Sequence, residues 1–489
     1  MHAYYFMVTA YFYHSPRTTS GSGAWGSAVP YGLGGRRTAP VFRPASGSGT
    51  LQTTERPQAV KIVLGYSGGL DTSVIVPWLR ENYQAEVVCM AADVGQRGGV
   101  GRLAGKAFAT GASAFFGEDL REEFLADYIL PVLRAGAVYS RKYLLGTAMA
   151  RPLISRRMVE VARRTGADAI AHGCTGKGND QLRFELSFAA LAPDLKVVAP
   201  WRQWDITSRE DAFAYARARG ISLEGLDEEK LYSRDENLWH ISHEGGPLED
   251  PAIAADPGVF VWTRDPVDAP DTPLDLELGF EAGIPVSIDG RALPPLPLLL
   301  KLNELGSDHG VGRADIVEDR VVGIKSRGVY ETPGGTILLA AIQELEQLVL
   351  SRHALALKDE LAPRYAALVY EGRWWTPERR ALDAMVDSLM ANVTGTVRLR
   401  LYKGQATVMS RKAPASLYDL DLASFGACDG YAHSDSSGFV KLFSLPQRAV
   451  AAQEKVAARR AAHSRSAAPG DVVPSAWAPA AVPIHTHAD

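Results

Sequence analysis

The stretch VKIVLGYSGGLDTS, residues 60–73, decides the fold. VKIVLGY (60–66) is a short apolar run, which reads as a strand buried on both faces. TSVIVPWLREN (72–82) follows with a helical pattern. Between them Ser67, Gly68 and Gly69 let the backbone turn tightly and present N–H groups, and the helix aims its positive dipole end at the same point. Such a loop is suited to a phosphate. Thr72 and Ser73 offer hydroxyl donors, and Asp71 is placed to hold Mg²⁺ on bound phosphates. The competing reading is a plain strand-to-helix turn capped by Asp71 or Thr72. The spacings GxxxxGK[ST] and GxGxxG are absent, and GCTGKG (173–178) fits neither.

Outward from this loop, strand and helix patterns alternate. EVVCMAADV (86–94), ADAIAHG (167–173) and LKVVAPW (195–201) read as strands. Helical patterns cover 102–110, 149–166, 179–191 and the residues after Ser208. This order predicts βαβ units and a parallel sheet covered on both faces. Near Gly225 the rhythm changes. Segments 274–293 and 395–410, with GFVKLF (438–443), read as antiparallel strands among helices near 336–361 and 377–391. The expected fold class is therefore α/β: a parallel-sheet nucleotide-binding domain (58–222), an α+β domain (223–446) and a C-terminal helix (447–464). That last helix suits an oligomer contact or packing on its own chain.

Hydrophobic content of 46% and a net charge of −4 fit a globular enzyme and give no reason to expect a nucleic-acid binder. No apolar run reaches 18 residues, so no membrane partner is expected. Cys89, Cys174 and Cys428 form no CxxC pair, which fits a reducing cytosol and a cytoplasmic protein. Residues 1–54 hold four Arg and no Asp or Glu, so 1–57 reads as a disordered extension, with an organelle transit segment as the alternative. The Ala- and Pro-rich end, 465–489, is expected to be disordered too, with His485 and His487 idle in it.

In a parallel sheet all strand ends of one sense share a rim, where ligands bind. AADVGQ (91–96) brings Ala92, small enough for an adenine or ribose to approach, although Asp93 also suits a turn cap. HGCTGKGNDQLRFE (172–185) is richer, with three glycines for close backbone approach and Thr175, Lys177, Asn179, Asp180 and Arg183. Asn179 and Arg183, four apart, share a helix face. A capped helix with a surface Asp180–Arg183 pair is the bland alternative.

These two loops, with YLLGTAMARPLI (143–154), YSRDENLWHIS (232–242), VEDRVVGIKSRGVYETPGGT (317–336) and DLASFG (421–426), closely resemble argininosuccinate synthases of the ATP pyrophosphatase superfamily. The resemblance covers roughly residues 60–450. It implies an ATP-dependent ligase in which citrulline oxygen attacks the α phosphate, and the aspartate amine then displaces AMP. It implies ATP binding by Gly65, Tyr66, Ser67, Gly68, Gly69, Leu70, Asp71, Thr72, Ser73, Ala92 and Gly173. Aspartate falls to Thr175, Asn179 and Asp180. Citrulline falls to Tyr143, Asn179, Arg183, Ser233, Ser242, Glu318 and Tyr330, and the catalytic role to Asp71, Asp180 and Arg183. No dedicated protein metal site is implied beyond Mg²⁺ carried with ATP, and a homotetramer is. Without the motifs, Tyr143 and Tyr330 read as ordinary aromatics, Ser233 and Ser242 as loop residues and Glu318 as a solvated charge.

The chain departs from the family where YLLGTS becomes YLLGTA, so that Ala148 replaces a hydroxyl assigned to citrulline. After VGQ, where the family is acidic, it reads RGGVGRLAG (97–105). Rival readings are a tRNA-thiolating or amidating pyrophosphate-loop enzyme and a non-catalytic synthase relic. The first needs a cysteine pair or an ammonia source that the sequence lacks. The second conflicts with the presence of Asp71, Asn179, Asp180 and Arg183.

Overall fold

The computed structural model describes residues 59–222, 232–426, 430 and 432–466. The expected extension 1–57, the tail from 467 onward, Gly225 and Cys428 lie outside the described residues. In chain order, β1 (Lys61–Gly65), α1 (Leu70–Tyr83), β2 (Glu86–Asp93), α2 (Leu103–Ala109) and β3 (Ala114–Asp119) come first. Next α3 (Arg121–Phe124) runs through a π-helical turn, Leu125–Ile129, into α4 (Leu130–Arg134). The first lobe is completed by α5 (Gly146–Thr165), β4 (Ala169–Ala171), α6 (Asp180–Leu191), β5 (Lys196–Val198) and α7 (Arg209–Ala218).

The five strands pair in parallel, in the order β3-β2-β1-β4-β5. Strand periodicity fixes what each face meets. Ile62 and Leu64 of β1 pack with Val74, Ile75 and Phe213 of α1 and α7, whereas Val63 between them packs with Met158, Val161 and Phe188 of α5 and α6. The chain extends from β1 to β2 and β3 on one side, then returns to β4 and β5 on the other. This reversal leaves a crevice between the ends of β1 and β4, the switch point where ligands bind in open α/β sheets. β3 escaped sequence reading because AFFGED has exposed residues and no sustained apolar run.

The second lobe begins with β6 (Ser233–Glu236), β7 (Ile241–Glu244), β8 (Leu274–Glu281), β9 (Ile284–Ile288) and β10 (Arg291–Ala292). α8 (Pro295–Asp308), β11 (Arg313–Asp319) and β12 (Lys325–Glu331) follow, then α9 (Pro333–Val349), α10 (Arg352–Tyr370) and α11 (Pro377–Met390). β13 (Gly395–Tyr402) and β14 (Gln405–Lys412) close it as a hairpin. Two antiparallel sheets result, β10-β9-β8-β13-β14 and β11-β12-β7-β6. The second was not foreseen, since SRDE and ISHE carry little apolar signal. Near 336–361 there are two helices, because Leu350 is extended and the Ser351 side chain caps α10 by accepting the Ala354 N–H.

Three helices end the described chain: α12 (Leu420–Ala423), α13 (Asp435–Phe443) and α14 (Leu445–Ser466). GFVKLF is therefore helical and not a strand. Phe439 and Phe443, four apart, stack with centroids 5.2 Å apart, a helical neighbour contact.

α5 joins the lobes. Its first half places Ala148, Met149 and Leu153 in the second lobe's core, and its second half places Met158, Val161 and Ala162 beneath the parallel sheet. The NLWH residues lock its start. Trp239 Nε1 donates to the Leu144 carbonyl (2.9 Å), and Asn237 Nδ2 donates to the Gly146 carbonyl (3.1 Å). A Cβ on Gly146 would lie 2.3 Å from the His240 ring, so only glycine fits there.

Candidate active site

At the end of β1, Gly68 adopts φ +72°, and a Cβ there would strike Leu103 at 2.4 Å. The N-cap of α1 is Gly69, and no side chain caps this helix, which disposes of the capping reading for Asp71 and Thr72. First-turn N–H groups are thus left for an anion. Ser67 Oγ lies 3.1 Å from Thr72 Oγ1 and accepts the Gly69 N–H at 3.3 Å, holding the loop's shape. Ser73 is fully buried, its hydroxyl 3.3 Å from that of Tyr66, so it braces the loop from behind. Asp71 is solvent-exposed in the first turn of α1, while crowding by the surrounding chain raises its pKa. A carboxylate in that state fits a cation shared with phosphate oxygens.

Sequence reading missed Lys106. Its Nζ donates to the Gly68 carbonyl at 2.7 Å, and burial lowers its pKa. With Ser67, Gly68, Gln96, Arg97 and Arg102 it lines a cavity of about 660 Å³. The segment that departs from the family after VGQ therefore folds against the phosphate loop. Ala92 ends β2 on the same rim; its carbonyl accepts from Gln96 Nε2 (2.9 Å), and Asp93 Oδ1 accepts the Gly95 N–H as a turn cap.

The β4 loop touches the β1 loop directly. A Cβ on Gly173 would sit 3.2 Å from Thr72 Cγ2 and Ile75 Cδ1. Thr175 is exposed, and Asn179 is buried with Oδ1 accepting the Val321 N–H (2.9 Å) from the β11–β12 turn. Arg320 of that turn reaches the Lys177 carbonyl (3.2 Å) and Glu244 Oε2 (2.6 Å). Asp180 is no idle surface partner. Arg183 Nη1 holds its Oδ1 at 2.9 Å, and Arg151 Nε and Nη2 hold its Oδ2 at 3.0 and 2.8 Å. Burial opposes ionisation, but the two guanidiniums prevail and bring its pKa down to about 2. Asp180 is a fixed anionic acceptor, too weak a base to take a proton near neutral pH.

Arg183 also spans to the second lobe. Its Nε donates to the Tyr370 carbonyl at 2.9 Å and its guanidinium lies 4.9 Å from the Tyr370 ring centroid. Tyr143 packs at 4.7 Å on Tyr330 and edge-on to Tyr370 at 6.2 Å, between ring centroids. Ser242 pairs with Tyr330 across β7 and β12. Glu318 is buried, its Oε2 accepts no hydrogen bond of ordinary geometry although the Tyr370 hydroxyl is nearby, and burial raises its pKa against the pull of Arg183 and Tyr370. Ser233 is exposed at the start of β6 opposite Glu244, away from the aromatic cluster in register. Tyr370 and Arg151 were not foreseen, and nothing in their local sequence sets them apart.

Ala148 is wholly buried, and the adjacent Thr147 hydroxyl is 3.1 Å from His240 Nε2. His240 packs beside the Tyr143–Tyr330 pair, with centroids 6.1 and 6.0 Å from the two rings.

A phosphate loop at the switch point of a parallel sheet, facing a second lobe that offers an unpaired carboxylate beside a guanidinium, defines an ATP-dependent ligase of amino acids. Residues 61–222 match the Arginosuccinate synthase N-terminal HUP domain and residues 232–450 the Arginosuccinate synthase C-terminal domain. "Argininosuccinate synthase, chloroplastic" of Arabidopsis thaliana is 54% identical over 420 residues, 84% of each chain. Argininosuccinate synthase of Roseiflexus sp. is 56% identical over 395 residues, 81% of this chain and 97% of that one. That of Pelotomaculum thermopropionicum is 55% identical over 400 residues, 82% and 100%. The chain belongs to the argininosuccinate synthase family.

Burial pushes the pKa of His240 from 6.5 to about 4. Below pH 6.5 the unfolded chain takes up a proton that the folded one refuses, so stability falls as pH drops from 6.5 towards 4. Between pH 7 and 5 this amounts to about 2 kcal/mol. Urea unfolding at both pH values should show His240→Gln losing that much less than the unaltered protein. Equal losses would show that His240 titrates normally.

Proposed function

We propose that this site divides the family's reaction, the ATP-dependent condensation of citrulline with aspartate in arginine biosynthesis, between the two lobes. The α1 N-terminus with Ser67, Gly68, Gly69 and Thr72 receives the ATP phosphates, and Gly65, Tyr66, Leu70, Ser73, Ala92 and Gly173 shape the nucleotide's place. Asp71 would hold Mg²⁺ against the phosphates, and the ion would supply charge neutralisation there. The observation that carries the citrulline assignment is Glu318 Oε2, a buried carboxylate oxygen without a partner. Such an oxygen is costly unless a cation meets it, and the citrulline ammonium does so. Arg183 and Ser242 take citrulline's carboxylate, and Tyr143 and Tyr330 wall the pocket. Ser233 completes it only if β6 moves inward.

The ureido oxygen of citrulline attacks the α phosphorus, and the electron pair of the broken P–O bond leaves with pyrophosphate. The aspartate ammonium gives one proton to solvent, and the free amine, held by Asp180, Asn179 and Thr175, attacks the adenylated carbon; AMP departs with the C–O pair and a guanidinium remains. Catalysis rests on alignment and charge, not on Asp180 as a base. Residues 58–222 serve as the nucleotide-binding domain, 223–446 as the synthetase domain and 447–464 as the oligomer helix. We place the enzyme in the cytoplasm. Import into an organelle through residues 1–57 is the second reading, favoured by the absence of Asp and Glu from residues 1–54 and by the chloroplastic relative. Among the described residues no helix is long and apolar enough to cross a membrane.

A homotetramer is the assembly proposed. Leu417, Leu420, Phe425, Phe439, Leu442 and Phe443 are all exposed in the single chain, an apolar surface that further copies would cover.

With ATP, Mg²⁺, citrulline and labelled aspartate, the protein should release argininosuccinate and AMP in equal amounts. Asp180→Ala should lower kcat/KM for aspartate at least about 50-fold with ATP binding retained; normal turnover would displace the aspartate site. Ala148→Ser should lower the citrulline KM about 2- to 10-fold, the worth of one hydrogen bond, and an unchanged KM would place residue 148 outside the pocket. Light scattering should give the full chain a mass near four protomers and a chain ending at Ala415 a smaller one. A truncated tetramer would exclude the C-terminal helices as the interface.

A further inference from the structure

Arg151 has no part in the ligand roles given above, yet its guanidinium meets two carboxylates, Asp180 and Asp235. It stands in the second turn of α5, between Ala148 and Leu153, which lie in the second lobe's core. Its Nε and Nη2 both donate to Asp180 Oδ2, at 3.0 and 2.8 Å, and its Nη2 is 3.0 Å from Asp235 Oδ2 on β6. The side chain is only 14% exposed. The guanidinium thus chelates one oxygen of Asp180 through two hydrogen bonds and faces Asp235, whose Oδ2 accepts no hydrogen bond, through charge alone.

The lone pairs of Asp180 show what the fork does. A carboxylate offers about two acceptor positions per oxygen. Arg151 fills both on Oδ2, and Arg183 fills one on Oδ1. What remains for a ligand is a single acceptor position on Oδ1, with the carboxylate unable to rotate about its χ2 bond.

We propose that Arg151 is the positioning residue for the attacking amine: it leaves Asp180 with one open, fixed acceptor position and couples that position to β6. An amine that must meet the adenylated carbon in line loses rate steeply with displacement of less than an ångström, so this fixing bears on aspartate. ATP and citrulline are bound elsewhere in the site. Lysine at 151 would keep the charge but could not put two coplanar N–H groups on Asp180 Oδ2 while facing Asp235.

The inference rests on the assignment of Asp180 to aspartate, and the test separates the two. Steady-state kinetics are measured on the full chain for Arg151→Lys, Arg151→Gln, Asp235→Asn and Asp180→Asn, with thermal melts beside them. Arg151→Lys should raise the aspartate KM at least tenfold, with the citrulline and ATP KM values within twofold of the unaltered enzyme. Arg151→Gln should raise it further. Asp235→Asn, which loosens only the far end of the fork, should raise it about threefold and serves if the Arg151 variants do not fold. An unchanged aspartate KM, or equal rises for all three substrates, would overturn the proposal. If Asp180→Asn also leaves the aspartate KM unchanged, the aspartate site itself is misplaced. If Asp180→Asn raises it while Arg151→Lys does not, only the role of Arg151 falls.

Discussion

The pairing of β1 with β4 is the constraint on which this molecule depends. Three register pairs, Ile62 with Ala169, Val63 with Ile170 and Leu64 with Ala171, place two strands side by side that lie more than a hundred residues apart in the chain. Because the pairing is parallel, both strands end on the same rim. The phosphate loop after β1 and the ligand loop after β4 then meet, with Gly173 against Thr72. A Cβ there would meet the Thr72 and Ile75 side chains at 3.2 Å and force them to give by a few tenths of an ångström.

Around that contact the charges are sorted by their surroundings. Asp180 faces two guanidiniums and stays ionised, while burial raises the pKa of Glu318 and Glu244. The three carboxylates share a small volume, and only Asp180 has its oxygens occupied by cations from two different helices. Glu318 keeps an oxygen open. The difference fits two amino-acid ligands, one meeting an already neutralised anion and one meeting an unsatisfied anion. Under the proposed assignment, a cation that met Glu318 would relieve part of its desolvation penalty.

The lobes are coupled through α5 and through the turn between β11 and β12. α5 carries Thr147 and Arg151 from a start locked by Trp239 and Asn237. The turn lays Arg320 and Val321 on the ligand loop. Residues 177–183 are thus braced by two separate elements of the second lobe.

Much of this was legible in the sequence, and the rest was not, for one physical reason. Local patterns identified the buried strand 60–66, the glycine turn at 68–69 and the helix after it, because those choices depend on neighbours a few residues away. They also marked 172–185 as a ligand loop from its composition, and the ordered motifs pointed to the family. GFVKLF misled, since six residues with three large apolar groups satisfy a strand or a helix face equally, and only the i,i+4 stacking of Phe439 on Phe443 decided between them. Lys106, Arg151 and Tyr370 stayed hidden because each acts across a gap of tens of residues or more, on Gly68, on Asp180 and Asp235, and on Arg183. The sequence by itself determined that a glycine turn links a buried strand to a helix N-terminus, the arrangement that suits a phosphate. Tertiary structure decided which charges meet there, because ion pairs between distant segments leave no periodic mark on the chain.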